Sequence, residues 1–432
     1  MRSYEFDNEL KGRLNALREQ GLYRELRRIS SAQSPHITLE GQSLLNFSSN
    51  DYLGLANEPA LKQAAIEATE RFGAGSGASR LICGSLAPHH ELEESLAQFK
   101  GMEAALAFST GYAAALGTIC ALVGRDDVIV LDKLVHACIV DAARLSGAKL
   151  RVFAHNDLDD LERILKWAQQ RRRADSKSKT LVVTETVFSM DGDHASLPPL
   201  VELKERYGAW LMVDEAHATG LYGNNRRGLA EEFGVSDRIE VHMGTLGKAL
   251  GVSGGYICGS RPLMDYLVNR SRSFIFSTAP VPAAAAAATA GIHFVQSDKG
   301  RERCSTLWER VAEMSNALSA AGSLVSAACS SPSLEERAGE RRPSTIRAIE
   351  PTYADSAVGS GLPKAIIPLL IGEEAKAVEI SSRLRHHGIF IPAIRYPTVA
   401  RGSARLRLTL TAAHTSGDVQ SLRSALLALK TQ

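Results

Sequence analysis

Between Asn46 and Pro280, short apolar runs alternate with helical segments: Ala104 to Phe108, Val128 to Leu131, Leu150 to Phe153, Leu181 to Glu185, Trp210 to Asp214 and Val241 to Thr245. Unbroken apolar strands separated by helices imply a mostly parallel central sheet covered by helices on both faces, because each strand is then buried on both sides. In such a sheet ligands bind beyond the carboxyl ends of the strands, where loops and helix N-termini converge. Polar residues just after these strands are therefore the candidates for chemistry.

A chain of 432 residues is longer than one compact unit usually needs, so more than one domain is expected. Phe6, Leu10, Leu14 and Leu17 recur at helical spacing among charges, which describes an amphipathic helix laid on the rest of the protein or on a neighbouring subunit. Residues 1–45 thus read as an N-terminal helical arm and 46–282 as the large ligand-binding domain. Ala279 to Val295 opens with Pro280 and Pro282 and is mostly alanine, which inserts poorly into lipid, so it reads as a buried helix and not a membrane span. Residues 283–432 then form a smaller C-terminal α/β domain, interrupted by a long polar loop near 329–363.

The 50 basic and 48 acidic residues leave almost no net field, and the basic run Arg171 to Lys179 suits a solvated connection; no nucleic-acid partner is expected. Six cysteines, Cys83, Cys120, Cys138, Cys258, Cys304 and Cys329, are scattered without a CxxC pair or a cysteine-histidine cluster. Neither a structural metal nor a disulfide framework is expected. The first thirty residues are charged on every turn and lack an apolar signal core, which points to the cytoplasm.

Three motifs follow strands. Ser109-Thr110-Gly111-Tyr112 opens a helical run, where free N–H groups bind an anion and Gly111 lets a phosphate come close; a plain N-cap is the bland alternative. Trp210 to Asp214 delivers Asp214, Glu215 and His217 to the ligand edge in an order that an ATPase box also shows. A phosphate loop to match it would need glycine where His242 stands and a hydroxyl residue where Ala249 stands, which leaves an ATPase only as a remote alternative. Gly251-Val252-Ser253-Gly254-Gly255 has the nucleophile-elbow pattern, but it runs on into the strand-like Tyr256-Ile257-Cys258 and not into a helix. Lys248 lies among glycines after an apolar strand. Pyridoxal 5'-phosphate (PLP) needs a lysine for its imine, a carboxylate on its ring nitrogen and a phosphate cradle; Lys248, Asp214 and the Ser109 to Tyr112 turn offer one each.

With these residues assembled, the chain resembles the fold type I PLP enzymes, and among them the α-oxoamine synthases, from Asn46-Phe47-Ser48-Ser49-Asn50-Asp51-Tyr52-Leu53-Gly54-Leu55 to Ala404-Arg405-Leu406-Arg407-Leu408-Thr409-Leu410. That family condenses an amino acid with an acyl thioester and releases CO2. The resemblance implies L-alanine and a pimeloyl thioester as substrates, with glycine C-acetyltransferase or 5-aminolevulinate synthase chemistry as the alternative and a non-catalytic PLP-fold module as a remote one. It implies that Lys248 forms the imine and later removes the α-proton, that Asp214 keeps the ring nitrogen protonated, and that His136 stacks on the ring. Ser189 and His217 would hydrogen-bond the phenolic oxygen. Gly111, Tyr112 and Thr245 would hold the phosphate, with Thr278 reaching in from the second subunit of a homodimer with shared active sites. Arg407 and Asn50 would take the amino-acid carboxylate, and Arg27, or equally Arg28, and Thr398 the acyl substrate.

Overall fold

The computed structural model describes residues 2–174, 177–326, 347–348 and 361–429. Along the chain come α1 (Arg2–Glu19), β1 (His36–Leu39), β2 (Gln42–Asn46), α2 (Pro59–Phe72), α3 (Ala87–Lys100), β3 (Ala104–Phe108), α4 (Gly111–Leu122), β4 (Val128–Asp132) and α5 (Ala137–Ser146). Strands β5 (Lys149–Phe153), β6 (Thr180–Glu185), β7 (Trp210–Asp214), β8 (Val241–Thr245) and β9 (Gly255–Gly259) follow. The chain divides into two units, one of them Asn50–Leu307 and the other built from Met1–Ser49, Pro363–Gln432 and the helical residues from Trp308.

The first unit holds a seven-stranded sheet in the order β3-β9-β8-β7-β6-β4-β5. Strands β5, β4, β6, β7 and β8 pair in parallel, and all six apolar runs read from the sequence are strands to within one residue. Every residue of β3, β4 and β6 is buried, which explains their unbroken apolar character, whereas edge strand β5 exposes Arg151 and Val152. β9 runs antiparallel to both neighbours, because the turn Leu246–Gly254 is too short for a parallel crossover. The carboxyl ends of β3, β4, β6, β7 and β8 therefore share one edge with the amino end of β9, which brings Phe108, Asp132, Glu185, Asp214, Thr245 and Gly255 to it.

The helix Pro282–Gln296 starts at the expected proline and packs on α2 and α3. This packing carries the unit on to Leu307, past the boundary expected at 282. The N-terminal boundary differs too. In the second unit β2 pairs antiparallel with β1 and parallel with Ile389–Phe390, the ring of Phe47 stacks on that of His414 at 4.3 Å, and His414 Nε2 lies 3.0 Å from the carbonyl of Asn46. Residues up to Ser49 are thus part of the smaller unit. That unit's second sheet is antiparallel, built from Ile366–Gly372, Ala404–Thr409 and Ala393–Ile394 with Arg347–Ala348 at one side. Phe6, Leu10, Leu14 and Leu17 of α1 are all exposed. Apart from Arg347–Ala348 and residues 361–363, the polar stretch near 329–363 lies outside the described residues, as does Cys329.

A buried ion pair backs the sheet. Lys100, the last residue of α3, donates to Glu215 and to the carbonyl of Arg227, and both ionic side chains are almost wholly buried. Burial alone would raise the Glu215 carboxyl, but Lys100 and His242 beside it hold it down at about 2. Replacing Lys100 with methionine leaves that carboxylate buried without its cation and should lower the unfolding free energy by about 3–5 kcal/mol. Denaturant melts of the two proteins measure the difference, and a loss under about 1 kcal/mol, as for an exposed pair, would refute it.

Candidate active site

Lys248 sits in the turn between β8 and β9. Backbone bonds from Leu246 N–H to Gly254 at 3.0 Å, from Val252 N–H to Leu246 at 2.9 Å and from Gly251 N–H to Lys248 at 2.9 Å close this turn on itself, and the Thr245 hydroxyl donates to Gly254 at 2.8 Å. The half-buried lysine is held at the sheet edge by a rigid loop, not at the end of a free one. Ser253, the middle of the elbow-like pattern, leads into β9, so no strand-to-helix elbow forms there.

Asp214 ends β7. It is buried, and its Oδ1 accepts the Ala216 N–H at 2.9 Å. Burial raises its pKa, against which the positive charge of Lys248 acts first and the ring of His136 later. His136 is the N-cap of α5: its Nδ1 accepts from the N–H of Cys138 at 3.2 Å and lies 3.0 Å from the Cys138 thiol. Desolvation lowers its pKa, Asp214 opposes the drop and Lys248 adds to it. Lys248 and Asp214, picked from separate motifs, and His136, implied by the resemblance, therefore lie within electrostatic reach of one another.

The phosphate cradle is built by close backbone approach. Thr110 caps α4, its Oγ1 accepting from Ala113 N–H at 3.0 Å, so the first N–H groups of the helix have no partner within it. A Cβ on Gly255 would come within 2.6 Å of both the N and Cα of Gly111, so β9 starts directly against the helix tip. A Cβ on Gly111 would stand 3.7 Å from that of Thr245. One strand edge thus joins a helix N-terminus, a hydroxyl and, three residues on, the lysine. The Tyr112 hydroxyl donates to Asp141.

On the other side, the buried ring of His217 has its Nδ1 2.6 Å from the hydroxyl of Tyr52, a partner the motifs did not reveal. Ser189 is buried, and its backbone N–H, like that of His136, donates to Glu185. Glu185 ends β6 opposite Asp214, and burial followed by the nearby Asp214 charge pushes its carboxyl up to about 8. Its Oε1 is buried without a hydrogen-bond partner among the described residues. The signal for Glu185 was present in the sequence, since β6 ends in an acid as β7 does.

Asn50 is half-buried at the start of a turn in the large unit, and Thr278 is exposed and bridges to Ser79. Arg407, Arg27 and Thr398 belong to the smaller unit. Arg407 is buried on the strand Ala404–Thr409 with Nη1 donating to Thr409 at 2.9 Å. Arg27 and Thr398 are exposed on segments tied to each other, because Arg395 donates to the carbonyls of Gly21 and Tyr23 and Arg24 donates to that of Tyr396 at 3.1 Å. Among the described residues no group of three His, Cys, Asp or Glu could hold a metal ion, and no helix is long and apolar enough to cross a membrane.

PLP fits this donor set: an amine on a braced turn, a buried carboxylate within its field, and a helix start opened by a glycine beside a threonine hydroxyl. Comparisons with known proteins agree. The family model described as aminotransferase class I and II matches residues 42–332. An 8-amino-7-oxononanoate synthase of Geobacter sulfurreducens is 45% identical over 417 residues, covering 96% of each chain. One from Symbiobacterium thermophilum is 42% identical over 414 residues, covering 95% of each. Among solved structures, a variant of serine palmitoyltransferase from S. paucimobilis with a bound PLP-myriocin aldimine superposes with a TM-score of 0.83 at 27% identity, covering 99% of both chains. The chain belongs to the aminotransferase class I and II family, and within it to the α-oxoamine synthase branch that includes the 8-amino-7-oxononanoate synthases.

Proposed function

We propose that this chain holds PLP on Lys248 and condenses L-alanine with a pimeloyl thioester, releasing CO2 and the free thiol carrier to give 8-amino-7-oxononanoate in biotin biosynthesis. The observation that carries the reading is the 45% identity, over 96% of the chain, to a synthase of that name. The gathering of Lys248, Asp214 and His136 at one strand edge supports the cofactor independently.

When bound, PLP supplies a ring that accepts the electron pair released at the substrate's α-carbon. Lys248 anchors the cofactor through its amine and later takes the proton from the α-carbon. Asp214 pairs with the ring nitrogen and keeps it protonated; the buried setting makes that ion pair strong. His136 would cover one ring face. Ser189 and His217, the latter oriented by Tyr52, hydrogen-bond the phenolic oxygen. The N–H groups of Gly111 and Tyr112 would bind the phosphate, joined by the hydroxyl of Thr245 once its proton turns away from the Gly254 carbonyl, with Thr278 supplied by a second copy of the chain in a homodimer. Arg407 offers the amino-acid carboxylate a planar, bidentate donor, aided by Asn50, and Arg27 and Thr398 receive the acyl substrate. The protein works in the cytoplasm.

Borohydride reduction of the holo protein should fix the cofactor on Lys248, and mass spectrometry of the digest should find the adduct there; an adduct on another lysine ends this reading. Asp214→Asn should still bind PLP but lose turnover by about a hundredfold or more, since an amide cannot hold the ring nitrogen protonated and roughly 3 kcal/mol of charge pairing is lost. Alanine-dependent α-proton exchange at the wild-type rate in that variant would remove Asp214 from the mechanism. Arg27→Ala should raise KM for the pimeloyl donor by about tenfold while sparing alanine binding, and Arg407→Ala should do the reverse. Steady-state kinetics with each substrate varied separate the two, and equal losses in both, or glycine with succinyl-CoA as the best pair, would favour another α-oxoamine synthase.

A further inference from the structure

A second set of charges lies along the same strand edge, starting from the end of β4. Asp132 ends β4 and is almost wholly buried. Its Oδ1 accepts the N–H of Leu134 at 2.8 Å and its Oδ2 that of Asn156 at 3.0 Å. The imidazole of His155 then spans two carboxylates, with Nδ1 2.9 Å from Asp132 Oδ1 and Nε2 2.6 Å from Asp193 Oδ2. A carboxylate only accepts, so two short contacts of this kind need an N–H on both ring nitrogens, and the ring is an imidazolium. Burial opposes that charge, but the bonds to Asp132 and Asp193 outweigh it and push the ring up to about 10.

The position of the clamp gives it a use. Asp132 is four residues before His136, and its bond to Leu134 shapes the turn between them. Asp193 closes the loop that contains Ser189: Phe188 N–H donates to the Asp193 carbonyl at 3.0 Å, Gly192 N–H donates to Phe188 at 2.8 Å, and Val187 bridges to His194. Phe188, next to Ser189, meets the His155 ring edge-on with centroids 4.3 Å apart. Asn156 adopts a left-handed φ of 55°, and its side-chain amide donates to Asp193 at 3.2 Å and to the His194 carbonyl at 3.0 Å. Glu185 accepts the N–H groups of His136 and Ser189, and the Asp132-His155-Asp193 bridge ties the same two segments a second time.

We propose that His155 is a positioning residue that acts as an imidazolium strut between Asp132 and Asp193, fixing the ring-stacking turn of His136 and the loop of Ser189 relative to each other. The inference rests on the reading of His136 and Ser189 as cofactor residues, although the strut can be tested without that reading.

Two variants, His155→Gln and Asp193→Asn, each break one charged contact, so that failure of one to fold leaves the other. In the apo protein, hydrogen exchange of peptides spanning 132–138 and 186–195 should rise together in either variant, while peptides spanning 104–112, on the phosphate side, keep wild-type protection. In the holo protein, with equal loading on Lys248 established by borohydride, the circular dichroism of the cofactor band should fall and the PLP dissociation constant should rise about tenfold, as for loss of one charge-assisted hydrogen bond. Unchanged exchange in both segments overturns the proposal. A rise spread evenly over the large unit overturns it as well, because that marks general stability and not positioning. If borohydride places no adduct on Lys248 in the wild-type protein, the cofactor reading fails while the exchange result still decides the strut.

Discussion

In the large sheet, β6 and β7 pair with Glu185 opposite Asp214, so two carboxyl groups stand side by side in a buried edge. Such a pair is unfavourable when both groups are charged unless cations and N–H donors are brought to it. The surrounding chain does this from several directions. Lys248 comes from the turn after β8, Ala216 N–H bonds Asp214, and the N–H groups of His136 and Ser189 bond Glu185. Groups proposed above to hold PLP are thus also ones that make this strand register tolerable.

How much of this can be read along the sequence follows from the range of the interactions. The parallel strands are legible because burial on both faces demands unbroken apolar runs, and Val128 to Leu131 or Trp210 to Asp214 can be little else. Asp214, Lys248 and the Gly111 turn are legible for a second reason, since the geometry of a parallel sheet puts whatever follows a strand at the ligand edge. The division into units is not legible. It depends on pairings such as that of Asn46 with His414, 368 positions apart, for which neither segment carries a local mark.

Glu185 and His155 escape a reading by motif for different reasons. An acid closing an apolar strand has a bland meaning until its neighbour across the ladder is known to be another acid. A histidine in a loop has the character of a surface residue until its partners are known, and those of His155 lie 23 and 38 positions away. Arg27 and Thr398 stand at the opposite extreme. Family likeness picks them out, and the structure adds only that Arg24 and Arg395 stitch their two segments together.

The smaller unit is assembled from segments on either side of the large one in sequence, with β2 lying between β1 and Ile389–Phe390. On the ribosome this imposes an order of events. The strands of the large unit emerge as one continuous stretch and can pair as they appear, but the first hairpin waits without its third strand until everything between Asn46 and Ile389 has been made. Throughout that interval β2 presents an unpaired ladder edge, which is the kind of surface that associates with a neighbouring nascent chain.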